Sequence, residues 1–153
     1  MINGDSRQTQ IEMFAGDGNI EELKELFESG YTQSEIDTAL DNAIAYSKIE
    51  TAEYLLSLGA DFSNYGYNGV YYAVHNNELK GLKFAIAKKV DINVEDGMLL
   101  NTSIITAINT KKIEIVKWLL DNGANKKLLT KQSLKLIDDY GTAELKNLIE
   151  KEK

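Results

Sequence analysis

Cysteine and proline are absent from this chain of 153 residues, and histidine occurs only once. Without cysteine the chain forms no disulfide and has no thiolate nucleophile or cysteine-ligated zinc site, which fits a reducing compartment. The single histidine, His75, excludes a multi-histidine metal site and makes any Ser-His-Asp triad depend on that one side chain. These absences remove the commonest ways of building a catalytic or metal site.

Long apolar runs are absent as well. Nowhere do about 18 apolar residues follow one another, and the opening MINGDSRQTQIEMFAG has no apolar run of signal-peptide length. The length suits a single domain, and 43 % hydrophobic residues are enough to build a core. We therefore expect one soluble, cytoplasmic domain that does not enter a membrane.

Charge is distributed unevenly along the chain, whose formal net charge is −7. Thirteen acids against three basic residues give −10 over residues 1–62, whereas eleven acids against fourteen lysines give +3 over residues 63–153. The first half would repel a phosphate backbone, so duplex nucleic acid is not an expected partner. The asymmetry reflects either solvated helix faces of different sign or a field that steers a charged protein partner.

Motifs for catalysis or ligand binding begin in several places but are never complete. GDGN at 16–19 lacks the spaced oxygen ligands and the closing glutamate of a calcium loop. GYNG at 66–69 is not followed by the Lys-Ser or Lys-Thr of a phosphate loop. The tyrosine-rich stretch 64–77 has no interleaved cations for stacking on single-stranded nucleic acid. We predict no catalytic residue, no cofactor and no metal.

Internal repetition is the strongest signal in the sequence. Four segments share one pattern, in which apolar residues recur three and four positions apart and a turn signal follows, as is typical of an amphipathic helix. The segments are NIEELKELFESG at 19–30, KIETAEYLLSLGAD at 48–61, ELKGLKFAIAKKVD at 78–91 and KIEIVKWLLDNGAN at 112–125, with a weaker copy, TAELKNLIEKEK, at 142–153. Their second residues are 29, 30, 34 and 30 positions apart, which predicts stacked supersecondary units.

A shorter helix is predicted before each of the last four segments, at 38–47, 68–77, 102–111 and 132–141. Thr38, Asn68 and Thr102 open three of these helices with side-chain oxygens suited to an N-cap. Glycines at 30, 59 and 123 follow the longer helices, where a left-handed residue commonly ends a helix. Each unit is therefore predicted to be helix, tight turn, helix, glycine stop and loop. Neighbouring units must stack, because one unit cannot bury its apolar stripe alone.

These repeats resemble those of ankyrin-repeat proteins, most closely in KIEIVKWLLDNGAN and KIETAEYLLSLGADFS. The family's repeat is about 33 residues long and opens with T-P-L-H-x-A. The resemblance implies an all-α fold, an ankyrin-repeat solenoid of about five stacked helix-turn-helix units with short connecting loops. It also implies one domain over residues 1–153, with approximate repeats at 8–32, 37–63, 67–93, 101–127 and 131–153.

The sequence departs from the family pattern in three respects. The histidine that ties neighbouring repeats together in the family is replaced by Asp41, Tyr71 and Ile105. Lys88 and Lys89 stand where other repeats have a glycine turn, which predicts an irregular end to that helix. Most spacings fall below 33, so stunted loops are expected everywhere except in VDINVEDGMLLN, 90–101, which is long enough for a full hairpin finger.

The resemblance implies that the chain, acting as a monomer, binds another protein through the concave face formed by first helices and loops. The acidic first half favours a partner with a basic surface. Tyr72 is predicted to pack inward, because it occupies an apolar position of the opening motif. The residues predicted to contact the partner are Asp41, Tyr46, Tyr65, Tyr67, Tyr71, His75, Asn76, Ile105, Asn109 and Thr110.

Two other functions stay open on the sequence. An inhibitor, or an immunity- or effector-type protein that neutralises one specific partner, fits the compact size. A small-molecule-binding or enzymatic function would instead use a groove lined by the tyrosines.

Overall fold

A computed structural model describes residues 6–151, which form ten α-helices, one short 3₁₀ helix and no β-strand. The all-α prediction is confirmed for this part of the chain. The helices are α1 (Arg7–Asp17), α2 (Ile20–Phe27), α3 (Gln33–Ala45), α4 (Ile49–Ser57), α5 (Asn64–His75), α6 (Leu79–Ala87), α7 (Val94–Thr110), α8 (Glu114–Asp121), α9 (Lys131–Tyr140) and α10 (Ala143–Lys151), and the 3₁₀ helix is Lys126–Leu128.

The helices are arranged as five consecutive pairs in a row. The two helices of each pair contact each other, and each odd-numbered helix also packs against the next odd-numbered helix. Leu23, Leu55 and Leu119 lie on the apolar stripes of their helices and are fully buried. Buried side chains from Ile11 in α1 to Leu145 in α10 belong to one hydrophobic core. The repetition of the sequence therefore corresponds to a row of helix pairs that share a core.

The helix α3 begins earlier than the sequence predicted. Its N-cap is Thr32, whose hydroxyl accepts a hydrogen bond from the Glu35 backbone N–H at 3.1 Å, while the Glu35 carboxylate accepts one from the Thr32 N–H at 3.0 Å. This capping box satisfies two backbone amides and allows helix to form from Gln33 onward. Thr38 and Thr102, which were predicted as N-caps, lie inside α3 and α7, so that prediction is wrong.

The helices α2, α4, α6 and α8 are each followed by a left-handed residue. Gly30, Gly59 and Gly123 have positive φ, as predicted. Lys89 occupies the corresponding position after α6 and has a φ of 79°. The N–H groups of Gly59 and Lys89 each donate to the carbonyl oxygen three residues earlier, at 3.0 Å. The predicted irregular end of α6 is therefore wrong. Lysine adopts the usual geometry at a cost of roughly 1–2 kcal/mol for a left-handed L-residue.

The stretch 90–101 does not form a hairpin finger, so this prediction is also wrong. The connection before α7 is as long as the one before α5. Each contains three consecutive left-handed residues, 65–67 and 95–97, and these begin six positions after Gly59 and six positions after Lys89. A right-handed helix then covers residues 68–75 in α5 but residues 98–110 in α7. The extra residues form an additional helical turn, in which Leu99 and Leu100 are buried.

Candidate partner-binding groove

A groove lies along the odd-numbered helices α1, α3 and α5. It consists of two depressions of about 250 and 320 Å³, and Asp41, Asn42 and Asn68 line both. Gln8 and Ile11 of α1 line the first depression, and residues at the end of α3 line the second. Tyr65 lies in the first depression, and Tyr46, Tyr72 and His75 lie in the second.

Asp41 lies at the centre of the groove but is buried, with 6 % of its surface exposed. Its carboxylate accepts a hydrogen bond from the Asn64 side-chain amide at 2.8 Å and another from the Gly69 backbone N–H. The prediction that Asp41 is an exposed contact residue is therefore wrong. The side chain instead connects α3 to α5.

The backbones of α3 and α5 come very close at this carboxylate. A Cβ atom on Gly69 would lie 2.6 Å from the Asp41 Cα, a separation that real Cβ atoms essentially never show. Burial raises the pKa of Asp41 to about 7, although the hydrogen bonds from Asn64 and Gly69 lower it, and the charge of Asp37 raises it further. The carboxyl group in the groove therefore changes its charge near neutral pH.

Three aromatic side chains of α5 contact one another, and two of them, Tyr72 and His75, line the second depression. Tyr71 and Tyr72 meet edge to face at 4.9 Å between ring centroids, and His75 stacks on Tyr71 at 6.0 Å and meets Tyr72 edge-on at 5.9 Å. The prediction that Tyr72 packs inward is wrong, since 42 % of its surface is exposed. Val70 and Val74 are buried, and the helical spacing places Tyr72 on the opposite side of α5.

The other tyrosines predicted to contact a partner lie apart from this cluster. Tyr46, 50 % exposed, follows α3 in the second depression, and Tyr65, 81 % exposed, lies in the first. Tyr67 is half-buried and packs against the hydrophobic core. Among the described rings, none of these three contacts Tyr71 or His75. Tyr46 and Tyr65 therefore line the groove at separate points, and Tyr67 does not line it.

The remaining predicted contact residues divide between the groove and α7. Asn76 lines the second depression, and its amide donates a hydrogen bond to the Ala45 carbonyl oxygen at 3.1 Å. Ile105, Asn109 and Thr110 are exposed on α7 and do not line either depression. The groove thus brings together five of the predicted residues, which are Asp41, Tyr46, Tyr65, His75 and Asn76.

Two asparagines line both depressions although the sequence did not predict them there. Asn42 donates a hydrogen bond to the Thr38 carbonyl oxygen at 3.0 Å. Asn68 was predicted as an N-cap, but it lies inside α5, whose N-cap is Ser63, so that prediction is wrong. A signal for this face was present, because Asn42 and Tyr72 occupy the same repeat position. An asparagine there argues against a consistently buried site.

Acidic side chains outnumber basic ones among the described residues that line the groove and the depression beside it. None of the described residues that line its two depressions is lysine or arginine. Glu35 in the first depression is paired with Arg7 at 2.7 Å, and this hydrogen bond holds the pKa of Glu35 below its ordinary value. A third depression, of about 260 Å³, lies beside Tyr46 and is lined by Glu12 and Asp17.

Within residues 6–151, no group of three or more histidine, aspartate or glutamate side chains is arranged to hold a metal ion. None of the helices described there combines the length and the apolar character needed to cross a membrane.

Comparison with known proteins gives a limited family assignment. No family model matches the chain. The chain is 27 % identical over 124 residues to an Acanthamoeba polyphaga mimivirus protein named "Putative ankyrin repeat protein R580". This likeness suggests an ankyrin-like family. The match covers 80 % of this chain and 25 % of the relative. The chain therefore spans about a quarter of the length of this curated relative. An ankyrin-like relative suggests protein–protein interaction in general.

Proposed function

We propose that the chain is a non-enzymatic protein-binding module, in which the helix pairs form an ankyrin-repeat solenoid and the odd-numbered helices present the binding face. The observation that supports this most directly is the groove, because three successive odd-numbered helices contribute to it. Tyr46, Tyr65 and Tyr72 are exposed along it. Exposed tyrosine offers a large contact area with a polar tip and few rotamers to immobilise.

We infer that the partner is another protein with a basic surface and that the chain binds it as a cytoplasmic monomer. The groove has no lysine or arginine among its described lining residues, and Glu12 and Asp17 lie beside it. An acidic site of this kind accelerates encounter with a basic partner and disfavours an acidic one. The same surface serves an inhibitor or an immunity- or effector-type protein that neutralises its partner.

The binding face is tested by replacing its exposed aromatic side chains together, in the variant Y46A/Y72A/H75A. The partner is first isolated on the immobilised wild-type chain from the native source, and its Kd is then measured by calorimetry. Truncation of a hot-spot residue costs at least about 2 kcal/mol, so we expect the Kd to rise at least about 30-fold. The matched control is Y140A, which removes an exposed tyrosine from α9, and its Kd is expected to equal that of the wild type.

An unchanged Kd for the triple variant, with a native circular dichroism spectrum and melting temperature, would refute the proposed face. A small-molecule function in the same groove predicts a different result. A ligand at 100 times its Kd adds roughly 2.7 kcal/mol of stability, which a thermal-shift screen of metabolites detects. A shift that disappears in the triple variant would favour that function over protein binding.

A further inference from the structure

We propose that the second depression of the groove is a pocket for a lysine or arginine side chain of the partner protein. The cationic group lies between the rings of Tyr46 and Tyr72 and above the Asp41 carboxyl group. This inference rests on the proposed function and adds to it the chemistry by which the partner is recognised.

The two rings belong to different helices and are each held by neighbours. Tyr46 follows α3 and packs against Gly16 of α1, where a Cβ atom would lie 3.3 Å from the ring. Tyr72 is positioned by its ring contacts with Tyr71 and His75. Tyr46 and Tyr72 nevertheless keep about half of their surface exposed. An aromatic face attracts a cation within about 6 Å of its centroid, so both rings have surface left for such a contact.

The chain uses the same contact internally at other rings. The Lys24 Nζ lies 5.3 Å from the ring centroid of Tyr54, and the Lys88 Nζ lies 5.4 Å from that of Phe84. Among the described residues, no lysine or arginine lies over Tyr46 or Tyr72. The faces of these two rings are therefore not occupied by a cation from the described residues, which leaves them available to a cation of the partner.

Hydrogen-bond acceptors in the depression complete the pocket. A carboxylate has about four lone-pair sites, and the donors from Asn64 and Gly69 occupy two of those on Asp41. The side-chain oxygens of Asn42 and Asn68 accept no hydrogen bond from the described residues and line the same depression. Lysine and arginine carry three and five N–H donors and no acceptor, so their chemistry matches this set.

Charge distinguishes this ligand from the alternatives. A phosphate group or an acidic peptide would meet no described lysine or arginine in the lining, and Glu12 and Asp17 beside Tyr46 would repel it. A cation is attracted by these carboxylates and by the ionised form of Asp41. Charge complementarity therefore selects a basic segment of a protein as the occupant.

The pocket is tested by titrating the full chain with a nonalysine peptide and following backbone amide signals by NMR. The control peptide is the same nonalysine with every ε-amino group acetylated, which removes the charge and keeps the length. We expect shifts centred on the second depression with the first peptide and none there with the second. The variant Y46L/Y72L keeps apolar side chains but removes both π faces, so affinity is expected to fall roughly 5- to 30-fold.

Two matched variants separate the pocket from general attraction to the acidic first half. D41N removes a carboxylate from the pocket, whereas E22Q removes an exposed one from α2. We expect D41N to weaken peptide binding at least about threefold more than E22Q does. Equal losses in the two variants would show diffuse attraction and overturn the pocket.

The variant Y46L/Y72L gives an independent result. Both positions are exposed, so this variant is expected to fold even if D41N does not. Wild-type affinity of this variant for nonalysine, with an intact fold, overturns the inference. Shifts confined to the even-numbered helices overturn it too. Both outcomes leave the protein-binding proposal standing, since that proposal is decided by the Kd for the isolated partner.

Discussion

The Asp41 carboxyl group is expected to make the stability of the fold depend on pH in a way that one substitution removes. Its pKa is raised from the ordinary 3.8 to about 7, chiefly by burial. Between these values the folded chain holds a proton that the unfolded chain has released, so the free energy of unfolding falls as pH rises from about 4 to about 7. Each pKa unit corresponds to about 1.4 kcal/mol, so the full effect is on the order of 4 kcal/mol.

The substitution D41N keeps the shape of the side chain and removes its titration. The asparagine oxygen can still accept from the Gly69 N–H, and the Asn64 amide can turn its own oxygen toward the new NH₂ group. We expect the stability of D41N relative to the wild type to increase by roughly 4 kcal/mol between pH 4 and pH 8. The measurement is urea unfolding at each pH, followed by circular dichroism.

Other titratable groups near Asp41 largely cancel in this comparison, because both proteins contain them. A stability difference between D41N and the wild type that stays constant from pH 4 to pH 8 would refute the raised pKa and its cause. The titratable groups near Asp41 are Glu35 and Asp37 on α3 and Tyr65, Tyr72 and His75 on α5. The residues of α1 that face the same depression, Gln8 and Ile11, are uncharged.

Two further predictions concern substitutions to or from glycine. Gly69→Ala is expected to lower the free energy of unfolding by about 1–3 kcal/mol, because the added methyl group meets the Asp41 backbone and not a flexible side chain; a urea midpoint equal to that of the wild type would contradict the close approach of α3 and α5. Lys89→Gly is expected to raise the free energy of unfolding by about 1 kcal/mol, because it relieves a left-handed lysine. Gly59→Ala, at the equivalent position, is expected to lower it by a similar amount, and changes of the same sign in both variants would contradict this explanation.

The helix pairs were predictable because their signal is local. In α6, for example, Leu82 and Ala85 are three positions apart in the sequence, and both are fully buried on the stripe that this spacing predicts. Gly59 likewise has the positive φ that its place after an apolar helix indicated. Such features depend on a few neighbouring residues, so one sequence is enough to predict them.

The errors arose where a distant contact decided the outcome. Asp41 was predicted to be exposed because the resemblance assigns its position to the contact face of the first helix, but Gly69, in the next helix pair, lets the two backbones come close enough to bury it. The stretch 90–101 was predicted to be a finger from its length alone. Burial of Leu99 and Leu100 against other helices favours a helical turn there, and the local pattern does not contain that information.

The longer α7 shows how units of unequal size can share one stack. The spacing of 34 positions across this unit exceeds the preceding spacing of 30 by four. Four residues advance an α-helix by about 400°, so this insertion displaces the following side chains by only about 40° around the axis. The buried stripe therefore stays in phase, while the helix grows by about 6 Å. An insertion of two residues would rotate the following side chains by about 200° around the helix axis and turn the buried stripe toward solvent. An array of this kind therefore tolerates changes in helix length that add whole helical turns. A sequence search that assumes one fixed repeat length would treat such a lengthened unit as degenerate, although its fold is intact.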